Sequence, residues 1–328
     1  MTFHNKDISN SSFLITGGAG FIGGHLAEYL LKNGAAKVRV LDNMVNGFEK
    51  NLDILRAYPA FEMIVGDIRN EATCQQACAG INYVSHQAAL GSVPRSIKEP
   101  VYFNDVNVGG FVNMLKAAVD NKVKQFVYAS SSSVYGDEPT LPKQESRIGN
   151  CLSPYAATKK TNELYAQIFA DVYGLNVMGF RYFNIFGSRQ DPDGPYAAVI
   201  PLFVKGILNR TPVYINGDGE QTRDFTFVDN AVQVNIKGML TDNGKALKQV
   251  YNVAVGENFS VNYLYNACRQ QLNSDWQATH RDPRAGDIID SLADISLAKD
   301  LLGYQSTKTF EEGLAETIEF FKNLYSNE

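Results

Sequence analysis

Phe13-Leu14-Ile15-Thr16-Gly17-Gly18-Ala19-Gly20-Phe21-Ile22-Gly23 joins a short apolar run to glycines at 17, 20 and 23. The run Phe13 to Thr16 reads as a strand buried on both faces. Beyond it, Ile22, Leu26, Tyr29 and Leu30 recur at helical spacing, and the pattern stops at Gly34. A strand that turns through glycines into a helix brings bare backbone amides and a helix N-terminus to one point. Both favour a pyrophosphate, because the amides donate and the helix dipole adds partial positive charge. Such a loop gains meaning from an acidic residue about twenty positions on, at the end of the next strand. Val38-Arg39-Val40-Leu41-Asp42 supplies it. The pair of signals points to dinucleotide binding. Asp42 would accept from a ribose 2′-hydroxyl and repel a 2′-phosphate, favouring NAD over NADP. Arg39 is read as a sheet-face residue.

Apolar runs at 13–16, 38–42, 61–65, 83–87, 125–130 and 175–181 alternate with helical patterns near 21–33, 105–121 and 157–173. This alternation predicts an α/β fold of Rossmann type, a doubly wound parallel sheet with helices on both faces. From about residue 182 the texture changes. Loops rich in Gly, Pro, Asp and Asn (187–195, 216–220, 281–286) interrupt shorter elements. The expected organisation is a cofactor domain over 1–182, to which about 224–258 returns. A smaller α/β substrate domain takes 183–223 and 259–328.

Bulk properties narrow the classes. The chain has 328 residues and a net charge of -5, with no dense Lys/Arg run, so nucleic acid is not an expected partner. Residues 1–12 are polar and lack a signal-peptide core, and no stretch approaches the roughly 20 apolar residues of a membrane span. The expected location is cytoplasmic. Cys74 and Cys78 lie four apart on a helical pattern, while Cys151 and Cys268 stand alone. Without neighbouring ligands they read as free buried thiols, and no metal site is expected.

Candidate chemistry lies in Ser153-Pro154-Tyr155-Ala156-Ala157-Thr158-Lys159. Ser153 can cap a helix whose first turn accepts Pro154, so Tyr155 and Lys159 project from one face near its start. A phenol titrates near ~10 and needs a nearby positive charge to act as a base at neutral pH. Lys159 and an oxidised nicotinamide would provide it. Upstream, Gln125-Phe126-Val127-Tyr128-Ala129 ends in Ser130, Ser131, Ser132 and Ser133. Hydroxyls at the carboxyl end of a strand sit where open α/β sheets bind ligands. A base, a positioning hydroxyl and a dinucleotide fold together describe proton-coupled hydride transfer at an alcohol carbon.

With these motifs the chain resembles the extended short-chain dehydrogenase/reductases, and among them the UDP-N-acetylglucosamine (UDP-hexose) 4-epimerases, from Gly17 to about Asp294. The resemblance implies NAD held by Gly17, Gly20, Phe21, Ile22 and Gly23, with Asp42, Asn43 and Gly47 at the adenosine ribose. Asp67 and Ile68 match the adenine pocket. His86-Gln87-Ala88-Ala89, Asn107 and Tyr182 match the nicotinamide side. Ser131, Tyr155 and Lys159 fall on the catalytic triad. Tyr214, Asn216, Arg223, Arg284 and Asp287 resemble the uridine and diphosphate clamps, the two arginines offering forked bonds to phosphate. Asn184, Gly91 and Ser92 fall at the sugar.

Small residues at Ala198 and Ser291 would leave room for an acetamido group, beside the strip Ala197-Ala198-Val199-Ile200. Ser132 and Ser133 could bond that group. Selection by room is partial, so UDP-glucose and UDP-galactose are also expected substrates. Serines at 132 and 133, where dehydratases and decarboxylases of the superfamily carry an acid, disfavour elimination. The implied activity is reversible 4-epimerisation through a 4-keto sugar on tightly bound NAD. The alternatives are a UDP-glucuronate 4-epimerase, a non-catalytic NAD-binding regulator, and an oxidoreductase that releases NADH. The resemblance further implies a homodimer through helices near 105–121 and 157–173. The stripe Leu164, Ile168, Val172 fits that role and packing on the sheet equally.

Overall fold

The computed structural model describes residues 2–192, 198–283 and 290–326. β1 (Ser12–Thr16) runs through the glycine turn into α1 (Phe21–Lys32), β2 (Lys37–Asp42), α2 (Glu49–Arg56), β3 (Phe61–Val65), α3 (Glu71–Cys78) and β4 (Tyr83–His86). A nearly continuous helical stretch follows: α4 (Val93–Lys98), α5 (Pro100–Asn104), a π turn over Asp105–Gly109, and α6 (Gly110–Asp120). Then come β5 (Gln125–Ser131), α7 (Pro154–Tyr173) and β6 (Val177–Tyr182). The remainder comprises β7 (Ile185–Phe186), α8 (Val199–Leu208), β8 (Tyr214–Asn216), β9 (Thr222–Arg223), β10 (Thr226–Phe227), α9 (Val228–Leu240) and β11 (Val250–Val253). It closes with β12 (Phe259–Ser260), α10 (Val261–Gln271), β13 (Thr279–Arg281), α11 (Ser296–Leu302) and α12 (Phe310–Ser326).

Seven strands form one sheet in the order β11-β6-β5-β4-β1-β2-β3, and every neighbouring pair is parallel. This is the Rossmann-type arrangement expected from the alternation. The order reverses between β1 and β4, where such sheets open a ligand crevice. The strands are apolar throughout because both faces are covered. Along β5, Val127 packs with Leu26, Leu30, Val234 and Met239 of α1 and α9. Its neighbours Phe126 and Tyr128 pack on the other face with Met114, Leu115, Ala166 and Phe169 of α6 and α7. A third cluster, including Phe203, Val213, Leu264 and Phe321, joins α8, α10 and α12 beside two-stranded pairs. Within 224–258, α9 lies against α1 and β5, and β11 is the outer strand beside β6.

Four readings are refined. The helix expected over 105–121 begins earlier: Ser92 accepts from Arg95 N at 3.1 Å and Pro94 suits its first turn. The α7 stripe does not pack on the sheet. Leu164, Ile168 and Val172 are 58%, 53% and 66% exposed, while Ala166, Phe169 and Ala170 turn inward. The two sets occupy opposite faces of the 3.6-residue repeat, and the smaller side chains let α7 approach β5 and β6. Of the four cysteines, Cys74, Cys78 and Cys268 are buried free thiols, whereas Cys151 is only half-buried. Arg39 is buried, capping the α3 C-terminus through the carbonyls of Ala77 and Ala79 and pairing with Glu62 at 3.1 Å.

Candidate active site

A cleft of about 1060 Å³ opens over the carboxyl ends of the central strands. Its floor is the glycine turn. Gly17 has φ +70°, and a Cβ there would lie 2.8 Å from Ala88 N. A Cβ on Gly23 would come within 2.3 Å of the Gly17 carbonyl oxygen, so neither position accepts a larger residue. Gly20 is the N-cap of α1 and brings no side-chain oxygen, and the first turn carries no acid. The helix end is thus left polar and positive towards the cleft. Asp42 lines the wall, its two oxygens accepting from Met44 N at 2.9 Å and Ala19 N at 3.0 Å. Each carboxylate oxygen has a second lone pair for a ribose hydroxyl. Burial pushes the Asp42 carboxyl up, and those two amides oppose it. The cradle, the dipole and the acceptor together fit a dinucleotide such as NAD.

Gly20, Phe21, Ile22, Asn43, Gly47, Ile68, Gln87, Ala88, Ala89 and Tyr182 share this wall. Two expected cofactor residues do not. Asp67 is engaged by Arg69 and by Asn43 Nδ2 at 3.0 Å, and those bonds, Arg69 foremost, hold its carboxyl down to about 2. The bond from Asn43 ties it to a residue of the wall. Asn107 is buried behind the wall, bonding both backbone groups of Leu90 and Thr158 Oγ1. It shapes the wall from beneath.

Ser131, Tyr155 and Lys159 meet on the opposite side of the cleft. Ser153 caps α7 by accepting from Ala156 N at 3.2 Å, with Pro154 in the first turn, which fixes where Tyr155 emerges. Burial raises the Tyr155 phenol, and a hydrogen bond with Ser131 opposes that rise. Ser133 donates to Ser131 Oγ at 2.9 Å from the side chain and 3.2 Å from its backbone N–H. Ser130 instead donates to Glu163 at 2.7 Å, within a buried pair made by Glu163 with Arg181. Lys159 is 2% exposed, its ammonium donates to the Ala129 carbonyl at 2.9 Å, and burial brings it down to about 8. The acidification of Tyr155 by Lys159 expected from sequence is not what the protein alone provides. The nearest partner of the ammonium is a carbonyl, and burial dominates the phenol.

Gly91, Ser92, Ser132, Ser133, Asn184 and Ala198 also line the cleft. Val199, Tyr214, Asn216, Arg223 and Ser291 are not on its wall. Tyr214 is half-exposed with Arg281 over its ring at 5.0 Å, and Asn216 Oδ1 accepts from Arg281 Nε at 2.6 Å. Arg223 donates to the Thr222 carbonyl at 2.8 Å, and Ser291 is buried. Ala197, Arg284 and Asp287 lie outside the described residues. The wall further includes Arg95, Lys98, Tyr102 and Gln190, which sequence reasoning did not single out. The Ser92-Val93-Pro94 helix start was the available signal for the first three. Among the described residues no cluster of His, Cys, Asp or Glu could hold a metal, and no helix is long and apolar enough to cross a membrane.

Residues 13–254 match the NAD dependent epimerase/dehydratase family. A UDP-glucose 4-epimerase of Mycolicibacterium smegmatis is 35% identical over 94% of this chain and 98% of its own. Among solved structures, the UDP-N-acetylglucosamine 4-epimerase of Methanobrevibacter ruminantium in complex with UDP-N-acetylmuramic acid superposes with TM-score 0.90. It is 38% identical, over 96% of this chain and 99% of that one. A UDP-glucuronic acid 4-epimerase mutant from Bacillus cereus, solved with UDP-4-deoxy-4-fluoro-glucuronic acid and NAD, gives TM-score 0.89 at 29% identity, over 96% and 100%. The chain belongs to the NAD dependent epimerase/dehydratase family.

Proposed function

We propose that this family member is an NAD-dependent UDP-sugar 4-epimerase whose preferred pair is UDP-N-acetylglucosamine and UDP-N-acetylgalactosamine. The observation that carries the reading is that Ser131, Tyr155 and Lys159 line the same cleft as the glycine cradle of Gly17, Gly20 and Gly23. Support for the acetylated sugar comes from Ala198, Ser132 and Ser133, which give the wall room and hydroxyls together. Ser291, buried off the wall, adds nothing to that argument.

Bound NAD would supply the acceptor and later donor of a hydride at sugar C4, and its positive charge would favour a phenolate beside it. Gly17, Gly20 and Gly23 would cradle it, with Asp42 on the adenosine ribose. Tyr155 Oη takes the proton of the C4 hydroxyl and returns it after the ketone has turned. Ser131 Oγ, itself steadied by Ser133, donates to the sugar oxygen while that proton is away. Lys159, anchored on the Ala129 carbonyl, holds the ribose hydroxyls and keeps a cation under the site. Inversion needs a loose hold on the sugar and a firm one on the nucleotide. Tyr214, Asn216, Arg223, Arg284 and Asp287 are proposed for that hold. The exposed stripe Leu164, Ile168 and Val172 is proposed as the contact with a second copy. Sedimentation should give a dimer, and Ile168→Glu a monomer.

The test is direct: purified protein is incubated without added cofactor with UDP-N-acetylglucosamine, UDP-glucose or UDP-glucuronate, and the C4 epimers are resolved. The expected order is acetylated sugar first, plain hexose second, glucuronate negligible. Fastest turnover of glucuronate would replace the substrate assigned here. No epimer from any of them would favour a regulator, and stoichiometric free NADH an oxidoreductase.

A further inference from the structure

α9 carries an amide that reaches the cleft wall from behind. Asn235 is fully buried, and its four hydrogen-bonding positions are all used. Its nitrogen donates to Tyr182 Oη and to the Ala231 carbonyl, both at 2.7 Å. Its oxygen accepts from Ser85 Oγ at 2.8 Å and Gln87 Nε2 at 3.0 Å. Gln87 Nε2 also donates to Ser85 Oγ at 2.9 Å, and Tyr182 Oη donates to Gln87 Oε1 at 3.1 Å.

This closed set has one polarity. The Ala231 carbonyl can only accept, so the Asn235 nitrogen faces it and Asn235 Oδ1 accepts from Ser85 Oγ and Gln87 Nε2. A reversed Asn235 amide would set its hydrogens against those of Gln87 and its oxygen against the Ala231 carbonyl. With Asn235 fixed, Tyr182 accepts from it, and the phenol hydrogen must go to Gln87 Oε1. Burial pushes the Tyr182 phenol up to about 12, so it remains a neutral donor within the set.

We propose that Asn235 is a positioning residue for the cofactor: acting through Tyr182 and Gln87, the members of the set that line the cleft, it fixes the wall against which NAD rests. The inference depends on the reading of the cleft as an NAD site. Asn235 touches no part of the cleft itself, so its influence must pass through those two side chains.

The experiment measures exchange of bound NAD against isotope-labelled NAD in purified wild type, Asn235→Leu, Tyr182→Phe and the double variant. Asn235→Leu keeps the branched shape of four side-chain heavy atoms and removes the polar ones. Each single change should speed exchange about tenfold, and the double about tenfold rather than a hundredfold, because both break one connected set. Melting temperatures of NAD-stripped protein are read alongside, and a purely structural role would lower these while leaving exchange unchanged. Wild-type exchange in a folded Asn235→Leu, or multiplying effects in the double variant, overturns the inference. If Asn235→Leu does not fold, Ser85→Ala replaces it, with exchange about threefold faster expected and no change overturning the proposal. Wild type that carries no NAD and takes none up overturns the cofactor reading itself.

Discussion

The catalytic side of the cleft and the segments proposed to hold the nucleotide, which lie off its wall, are built differently. Ser131, Tyr155 and Lys159 stand on β5 and α7, whose side chains enter the central core and whose positions are fixed by a capped helix and a buried Glu163–Arg181 pair. The residues proposed for the nucleotide, Tyr214, Asn216 and Arg223, stand on strands of two or three residues that, among the described residues, pair only with β13 and β12. Tyr214 is half-exposed, and Arg281 rather than a core side chain covers it. Groups that must meet an atom within a few tenths of an ångström are set in the sheet. Groups that grip a charged nucleotide need reach more than rigidity, because the attraction between charges falls off slowly with distance.

Breaking the rigid side should have the largest effect. Tyr155→Phe removes only the proton acceptor and is expected to lower kcat by about a thousandfold, within the range for a lost general base. UDP-sugar affinity should stay within about threefold in calorimetry. A kcat near wild type would end the distinction between the two. Next, Arg223→Ala on the adaptable side should raise KM about thirtyfold, as loss of a charge-assisted phosphate bond predicts, with kcat nearly unchanged. A fall in kcat alone would place Arg223 with the chemistry instead.

Ala198→Tyr sharpens the comparison within the cleft. Filling that wall should lower the preference for UDP-N-acetylglucosamine over UDP-glucose about tenfold in kcat/KM, the scale at which room discriminates. An unchanged ratio would move specificity elsewhere. The smallest effect concerns pH. Lys159, brought down to about 8 by burial, is charged below that pH and neutral above it. In the proposed site its ammonium holds the cofactor ribose, so kcat should fall severalfold as pH rises past about 8, and Lys159→Arg should remove that alkaline limb. An unaltered limb in Lys159→Arg would assign the titration to another group.

The glycine loop, Asp42 and the alternation of strands were legible because local chemistry dictates them. Only glycine fits 17 and 23, and a strand covered on both faces must be apolar. Tyr155 and Lys159 were legible for the same reason, since a capping serine and a proline fix the start of their helix. The face of α7 was not. Both of its sides carry apolar residues, and periodicity cannot say which one meets the sheet. Nor was Asn235, an amide inside an apolar helix, whose partners Ser85, Gln87 and Tyr182 are up to 150 residues away in the chain.

By itself, then, the sequence determined the doubly wound sheet, the glycine turn into its first helix and the choice of groups proposed to move a proton. Each of these follows from residues within about a turn or a strand of one another. Tertiary structure alone decided the electrostatics. Lys159 sits on the Ala129 carbonyl while burial raises Tyr155, and Asp67 is paired with Arg69 and Asn43. A side chain's pKa and partner depend on the water it loses and the dipoles it meets, and these come from segments far away in sequence.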